Sequence, residues 1–359
     1  MALLPYFRSR LEQLPGHLAY RSFLCRSILS SNSRPLSLGM MSRPQTTSAK
    51  VGAGAKPRDQ TPRPSASLVI INDRDEVLLV QRNMQASAFA GVTVFPGGNY
   101  DPKQDTSIKM TAIRETFEES GLLIARPTSS RAKMPSESAL DEARNEIHSN
   151  RMLFKDFLDQ HELEADVDSL MPFTEWITPP GAPRRFHTRF FVTFLPAASS
   201  TGFKSGDKQE RIPKPDGGQE VITARFLHPC AAFSEYHADK ITFMPPQFYI
   251  LTTIRDVFVS FPDRATQRAK IQELSDGKFG KMVINPRRTD GNTNGHGNAV
   301  LTYEGDEARG GVKGRLHRSE VKVGDGGVTS KIVLRRNFDI FTEIESHWFN
   351  TGGLDKAKL

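Results

Sequence analysis

Cysteine is nearly absent from this chain: Cys25 and Cys230 are the only two in 359 residues. Two thiols cannot build a disulfide framework or a four-cysteine zinc site. Long apolar runs are missing as well, since no stretch reaches the roughly 18 residues that a membrane-spanning helix requires. Acids are scarce at the amino end, where residues 1–65 carry ten Lys and Arg against Glu12 and Asp59. That segment is net +8 while the whole chain is +7, which leaves residues 66–359 at −1. The basicity therefore belongs to the leading segment, and the argument for a nucleic-acid-binding domain that a positive total would invite falls away.

Both ends read as addresses. The first 40 residues hold Arg8, Arg10, Arg21, Arg26 and Arg34 among serines and leucines, with Glu12 the sole acid. This is the composition of a mitochondrial presequence, and composition alone fits a disordered leader equally well. Initiation at Met40 or Met41 would remove it. Ala357-Lys358-Leu359 is a variant of the Ser-Lys-Leu peroxisomal signal, which would engage a peroxisomal import receptor. Peroxisome is the leading expectation and mitochondrion the second.

The most informative stretch is Phe95-Pro96-Gly97-Gly98, followed by Arg114-Glu115-Thr116-Phe117-Glu118-Glu119-Ser120-Gly121-Leu122. On a helix, Glu115, Glu118 and Glu119 fall at i, i+3 and i+4, so three like charges project from one face and repel unless a cation sits among them. A cluster of hard oxygen donors suits Mg²⁺ or Mn²⁺, which bind carboxylates together with substrate phosphates. The glycine pair lets backbone approach a ligand with no Cβ in the way, so a carbonyl of Gly97 or Gly98 is a further candidate donor. Arg114 stands where a forked hydrogen bond would fix the direction of the Glu115 carboxylate. Gly121 is placed to stop the helix. A solvated helix face is the alternative for the charged hexad alone, but it does not account for the glycine pair and the closing glycine.

On these residues the chain resembles the Nudix hydrolases. Arg114 to Leu122 matches the second half of the family signature, with Thr116 in an apolar position. The first half departs from it. Thr106 holds the place of a glutamate eight residues before the arginine, and the interval from Gly98 is two residues too long, which leaves Asp101 or Asp105 as stand-ins. Leu78-Leu79-Val80-Gln81-Arg82, Gly91 and Phe95-Pro96-Gly97-Gly98 follow the spacing of the motif that precedes the box in coenzyme A diphosphatases. Val80, Asn83 and Ser87 differ there, Ser87 replacing an arginine that is a natural phosphate partner. Trp176-Ile177-Thr178-Pro179 and Arg185-Phe186-His187-Thr188-Arg189-Phe190-Phe191 are similar to the Nudix motif nineteen group, whose members are peroxisomal and cleave coenzyme A and its acyl esters.

The resemblance implies an α/β fold, an α/β/α sandwich around a mixed sheet, with a helical insertion and a C-terminal β-rich extension. The expected organisation is a leader at 1–65, a Nudix domain at 66–262 with its insertion at 127–170, and an accessory extension at 263–359. Ser67–Ile71 and Val77–Val80 alternate with a turn-rich spacer and predict a hairpin. A helix is predicted over Thr106–Ser120. Ala139, Ala143 and Ile147, then Leu153, Phe157 and Leu158, mark two insertion helices. Strands are predicted at Arg185–Leu195 and Glu220–Leu227, and a helix at Gln247–Val259. Beyond Phe261 the expectations are a mobile loop at Asp290–Gly295 and edge strands at Val300–Tyr303, Val321–Val323 and Lys331–Arg335.

The implied chemistry is metal-dependent hydrolysis of coenzyme A or acyl-coenzyme A to adenosine 3′,5′-bisphosphate and (acyl-)4′-phosphopantetheine. Glu115, Glu118 and Glu119, with Gly98 and Glu220, would hold Mg²⁺ or Mn²⁺. Arg82, Gly97, Arg185 and Arg189 would meet the substrate, with Arg184 a further candidate. ADP-ribose, NADH and dinucleoside polyphosphates are alternative substrates, although NADH diphosphatases carry a zinc ribbon that two cysteines cannot form. A non-catalytic nucleotide-binding module is the alternative of another class; such proteins lose box carboxylates that this chain keeps.

Overall fold

The structure, a computed structural model, describes residues 61–85, 90–182, 184–195, 213–218, 220–289, 298–323 and 329–341. The basic leader up to residue 60, Ser87, the Asp290–Gly295 loop and Ala357-Lys358-Leu359 lie outside them. In chain order the strands and helices are β1 (Arg63–Ile71), β2 (Val77–Arg82), β3 (Thr93–Val94), β4 (Gly97–Asn99), α1 (Ile108–Ser120), β5 (Ala125–Pro127), α2 (Glu137–His148), α3 (Phe154–Gln160), β6 (Leu163–Ala165) and β7 (Met171–Ile177). They continue as β8 (Phe186–Phe194), β9 (Val221–Leu227), α4 (Pro229–His237), α5 (Pro245–Ser260), α6 (Arg264–Asp276), β10 (Val283–Ile284), β11 (Arg287–Thr289), β12 (Asn298–Thr302), β13 (His317–Val323) and β14 (Thr329–Arg336).

β1 organises the domain because both its faces are buried, which is why its sequence runs apolar without alternating. Side chains on a strand point alternately to its two sides. Ala66, Leu68 and Ile70 enter a core with α1 and the insertion, while Val69 and Ile71 enter one with α5 and α6. Helices thus cover a mixed sheet on both sides, the α/β/α arrangement expected. β8 lies parallel to β1 along its whole length, from Arg63↔Phe186 to Ile71↔Phe194.

The β1–β2 hairpin is shorter than its sequence suggests. It pairs at Ile71↔Val77 and then divides, β4 taking the edge of β1 from Ser67 to Ser65 while β9 takes β2. Between them, Leu68 N–H donates to Pro96 O at 2.9 Å. The gap left by this division is where α1 presents its carboxylates. Gly97 lies so close to β1 that a Cβ on it would collide with the carbonyl of Ala66.

α1 begins two residues later than predicted, at Ile108, because Ser107 caps it by accepting the Met110 N–H at 3.2 Å. Gly121, at φ 73°, ends it with its N–H on Phe117 O at 2.8 Å. Met110, Ala112, Ile113 and Phe117 form its buried side. Phe117 stacks on Phe157, centroids 5.6 Å apart, and so fastens the insertion to α1. Within the insertion, Leu140 rather than Ala139 is buried beside Ala143 and Ile147, and Phe154 rather than Leu153 beside Phe157 and Leu158. The small strand pair β5–β6 closes its two ends, an element that the charged sequence hid.

Residues 263–341 do not form a separate appendage. β10 adds a parallel strand to β7, Val283↔Glu175, and extends the central sheet. Tyr303, Val321, Ile332 and Phe338 share one core with Tyr249 and Ile254 of α5. The strands expected as edges form a four-stranded sheet ordered β11-β12-β13-β14, in which β12 and β13 are interior. Among the described residues, no helix is long and apolar enough to cross a membrane.

Candidate active site

A cleft of about 230 Å³ opens where β1 and β2 part. Glu115, Glu118, Glu119 and Arg114 of α1 line it, together with Asn99, Asp101 and Gln104, with Glu220 from the approach to β9, and with Ile147, His148 and Asn150 from the insertion. A larger cavity of about 330 Å³ lies among Ile108, Lys109, Thr174, Glu175 and Arg189. It holds one carboxylate, so the smaller cleft is the candidate site.

Each carboxylate of α1 is held differently. Glu115 packs on the backbone of Gly98, where a Cβ would stand 2.5 Å from both of its oxygens. The glycine is thus required by a close approach. Glu119 is 2% exposed and accepts the Gly97 N–H at 3.0 Å through Oε2. Its Oε1 has no hydrogen-bond partner, and the nearest cation is Arg82 Nη1 at 3.7 Å. Glu118 accepts from Arg114 Nη1 at 2.7 Å, with His148 Nδ1 at 3.4 Å from its other oxygen.

The charges follow from these surroundings. Burial pushes the Glu115 carboxyl up to about 7, in spite of Arg114 beside it. Burial, then the charge of Glu115, raises Glu119 well above the usual carboxylate range. Burial acts on Glu118 in the same direction, but His148 and Arg114 outweigh it and hold this carboxyl below its usual value. The hydrogen bond to Glu118 in turn raises His148. Burial disfavours a charged Arg114, yet Asp105, Glu115 and Glu118 more than compensate and keep it protonated.

Arg114 does not fork onto Glu115 as its position suggested. Its fork meets Asp105, with Nε on Oδ1 at 2.8 Å and Nη2 on Oδ2 at 2.9 Å. Nη1 then reaches Glu115 at 3.0 Å and Glu118. Asp105 is buried and also accepts from Thr111 Oγ1 at 2.9 Å, so it anchors the arginine and is no stand-in for a metal ligand. Thr106 is exposed and precedes the cap. Arg185 donates Nε to Thr178 O at 3.0 Å, and Arg189 pairs with Glu175 at 3.2 Å beside the other cavity. Neither lines the carboxylate cleft, and nor does Arg184.

His148 and Arg144 are the participants that motif reading missed. Arg144 donates Nε to Glu118 O at 2.6 Å and Nη1 to Pro215 O at 3.1 Å, which docks α2 against the end of α1. His148 follows it by four residues, so the period that exposes the buried face of α2 also aims His148 at the cleft rim.

The residues present suit a divalent cation. Glu119 Oε1 is buried without a partner, and Glu115 sits in the Cβ-free cradle at Gly98, so hard oxygen donors gather beside the cleft. Among the described residues, no three His, Cys, Asp or Glu side chains converge as a finished metal site. The reason is visible in Arg114, which draws Glu115 and Glu118 toward itself. Gly98→Ala should weaken Mn²⁺ binding about ten- to a hundredfold in calorimetry, as loss of a ligand's support does, with far-UV circular dichroism unchanged. Unaltered Mn²⁺ affinity would place the cation elsewhere.

Comparison with known families matches residues 102–254 to the NUDT19 Nudix domain. Acyl-coenzyme A diphosphatase NUDT19 of Xenopus laevis is 24% identical over 238 residues, which covers 50% of this chain and 59% of that protein. Putative nudix hydrolase 7 of Caenorhabditis elegans is 26% identical over 202 residues, 54% of this chain and 61% of its own length. The chain therefore spans less than two thirds of these relatives. A solved NUDIX hydrolase from Alicyclobacillus acidocaldarius aligns with a TM-score of 0.46 at 23% identity, covering 58% of this chain and 96% of that one.

Proposed function

This chain belongs to the Nudix hydrolases, its matched domain resembling that of NUDT19, and on that premise we propose that it cleaves the diphosphate bridge of coenzyme A or acyl-coenzyme A. The products are adenosine 3′,5′-bisphosphate and (acyl-)4′-phosphopantetheine. The observation that carries the reading is the three carboxylates of α1 lining one cleft, with Glu115 packed on Gly98 and one oxygen of the buried Glu119 unpartnered. The relatives named acyl-coenzyme A diphosphatase support the choice of substrate class.

Glu115, Glu118 and Glu119, with Glu220 and the Gly98 carbonyl, would hold Mg²⁺ or Mn²⁺. Such a cation supplies Lewis acidity toward phosphoryl oxygens and lowers the pKa of water. The protein's own part is orientation. Asp105 locks Arg114, and Arg114 holds Glu115 and Glu118 beside each other on one side of the cleft, from which they would turn to a cation. The Gly97 N–H holds Glu119 by Oε2 and leaves Oε1 without a hydrogen bond. Arg114 is taken up by Asp105, Glu115 and Glu118, whereas Arg82, at the end of β2, lies near Glu119 and Glu220 without a hydrogen bond to either and would be free to meet a phosphate. Ile147 and His148 narrow the opening from the insertion side, which limits water around the reacting phosphorus.

Incubation of the full chain with acetyl-coenzyme A, NADH and ADP-ribose in Mn²⁺ tests the reading. Release of adenosine 3′,5′-bisphosphate from the coenzyme A ester should exceed cleavage of the others by at least about tenfold in kcat/KM, the size of discrimination that a few pocket contacts provide. Faster cleavage of ADP-ribose would overturn the substrate assignment, and cleavage of nothing would favour a nucleotide-binding module.

A further inference from the structure

Arg82 does not line the cleft, but it is the loosely held charge beside two residues that do, Glu119 and Glu220. Its backbone is fixed, since its N–H donates to Val92 O at 3.0 Å and the residue pairs with Val221 of β9. Its side chain is not held comparably. Nη1 lies 3.7 Å from Glu119 Oε1 and Nη2 3.9 Å from Glu220 Oε2, distances that give charge attraction without a hydrogen bond. The buried Nε of Arg82 and Oε1 of Glu119 both lack any hydrogen-bond partner. A guanidinium offers five donors in a planar fork that matches phosphate oxygens, and here the fork is spent on two loose ion pairs. Arg114 shows the contrast within the same site, because its fork is satisfied by Asp105 and its position is locked.

We infer that Arg82 is the resident counter-cation of the cleft, and that it exchanges Glu119 and Glu220 for a substrate phosphate when a divalent cation takes those carboxylates. The inference rests on the metal-dependent reading above and deepens it. Two cations compete for one pair of acids, so the guanidinium leaves as the divalent ion enters, and its fork is released for a phosphate bound beside those acids. Metal occupancy and nucleotide binding then become coupled through one side chain, and by linkage each strengthens the other by the same factor. The Glu119 Oε1 that is buried and unpartnered in the free protein is also given a partner in the loaded one, which removes a burden that the free state carries.

Calorimetry on the full chain separates the possibilities. Mn²⁺ is titrated into the wild type, Arg82→Ala and Arg82→Lys, and the non-hydrolysable α,β-methylene-ADP is then titrated with and without Mn²⁺. Arg82→Ala should bind Mn²⁺ about five- to tenfold more tightly than the wild type, because nothing has to be displaced. The strengthening of α,β-methylene-ADP binding by Mn²⁺ should fall by about tenfold in the same variant, within the usual range of coupling between sites. Arg82→Lys keeps the charge and loses the fork, so it should keep the wild-type Mn²⁺ affinity while losing coupling. A purely structural role would weaken Mn²⁺ and nucleotide binding together. Equal or weaker Mn²⁺ binding by Arg82→Ala overturns the inference and leaves the metal-dependent reading standing. No Mn²⁺ binding by the wild type overturns both.

Discussion

Glu115→Gln should lower kcat/KM for acetyl-coenzyme A by about a thousandfold, the loss expected when several kcal/mol of transition-state charge stabilisation disappears. The amide keeps the shape that fits against Gly98 and keeps an oxygen to accept from Arg114 Nη1, now 3.0 Å from the carboxylate. What it removes is the charge. The same variant should be more stable than the wild type without metal, and the sign follows from burial. The Glu115 carboxyl sits at about 7 in the folded chain against 4.5 as its ordinary value. Between those pH values the folded protein holds a proton that the unfolded chain has released, so wild-type stability falls as pH rises through this window. With the side chain still 15% exposed, the gain at pH 8 should be about 1–2 kcal/mol, below the full conversion of the shift. Urea unfolding in EDTA at pH 5 and pH 8 measures it, alongside the activity assay. Near-wild-type turnover would exclude Glu115 from the machinery, and a variant less stable than the wild type at pH 8 would show that Glu115 serves the fold.

The site was legible where its geometry is local. Glu115, Glu118 and Glu119 share a face because helical spacing alone puts them there, and Ser107 and Gly121 bound that helix by short-range capping. Gly98 reads as a place of close approach because its meaning is the absence of a Cβ, whatever residue proves to be near it. The partners of these groups were not legible, because nothing in the local pattern specifies them. Asp105 is nine residues before Arg114, outside the helix, and its pairing depends on how the loop after β4 folds back. His148 arrives from an insertion whose docking depends on Arg144 and on the Phe117–Phe157 stack.

The sheet shows the same limit. The apolar run of β1 announces a strand buried on both sides, but its register cannot reveal that β2 leaves it after Ile71↔Val77 and that β4 replaces it. That exchange of partners is what makes room for the cleft. Arg189 sits on β8 and Arg185 just before it, in a stretch whose pattern fits the family, yet the carboxylate of Glu175 and the backbone carbonyl of Thr178 take them away from the carboxylates. The residues after Phe261 read as an appendage because their strands are short and polar on one side. Their other side, with Tyr303, Val321 and Ile332, closes the core of the domain itself.

That shared core carries the second large effect, which is on stability. His317 of β13 is 1% exposed, with Nδ1 2.7 Å from Glu304 O and Nε2 2.9 Å from Tyr249 OH. A carbonyl can only accept, so Nδ1 carries the proton, Nε2 accepts from the tyrosine, and the ring is neutral. Burial, reinforced by the charges of Arg336 and Arg315, pushes His317 down to about 3. In the unfolded chain the ring titrates at its ordinary 6.5, so between 6.5 and about 3 the unfolded state binds the extra proton. The stabilisation is therefore complete above 6.5 and is lost as pH falls toward 3. From pH 7 to pH 4.5 the loss should be about 2–3 kcal/mol, at 1.36 kcal/mol for each unit traversed below the unfolded value. Glu115 acts oppositely over part of this range, since its stabilising proton is gained as pH falls from about 7 to 4.5. The wild-type curve alone thus combines His317 with Glu115 and with the other shifted groups of the cleft, Glu119 among them. His317→Gln isolates one of them, because glutamine fills much of the space, can accept from Tyr249 OH and does not titrate. The variant should be about 1–3 kcal/mol less stable at pH 7, from imperfect hydrogen bonding in a buried position. The gap to the wild type should then close by about 2 kcal/mol at pH 4.5. Urea unfolding of both proteins in EDTA across that range measures the gap, and curves that stay parallel would mean that His317 is protonated or solvated in the folded chain, contrary to its place between Glu304 and Tyr249.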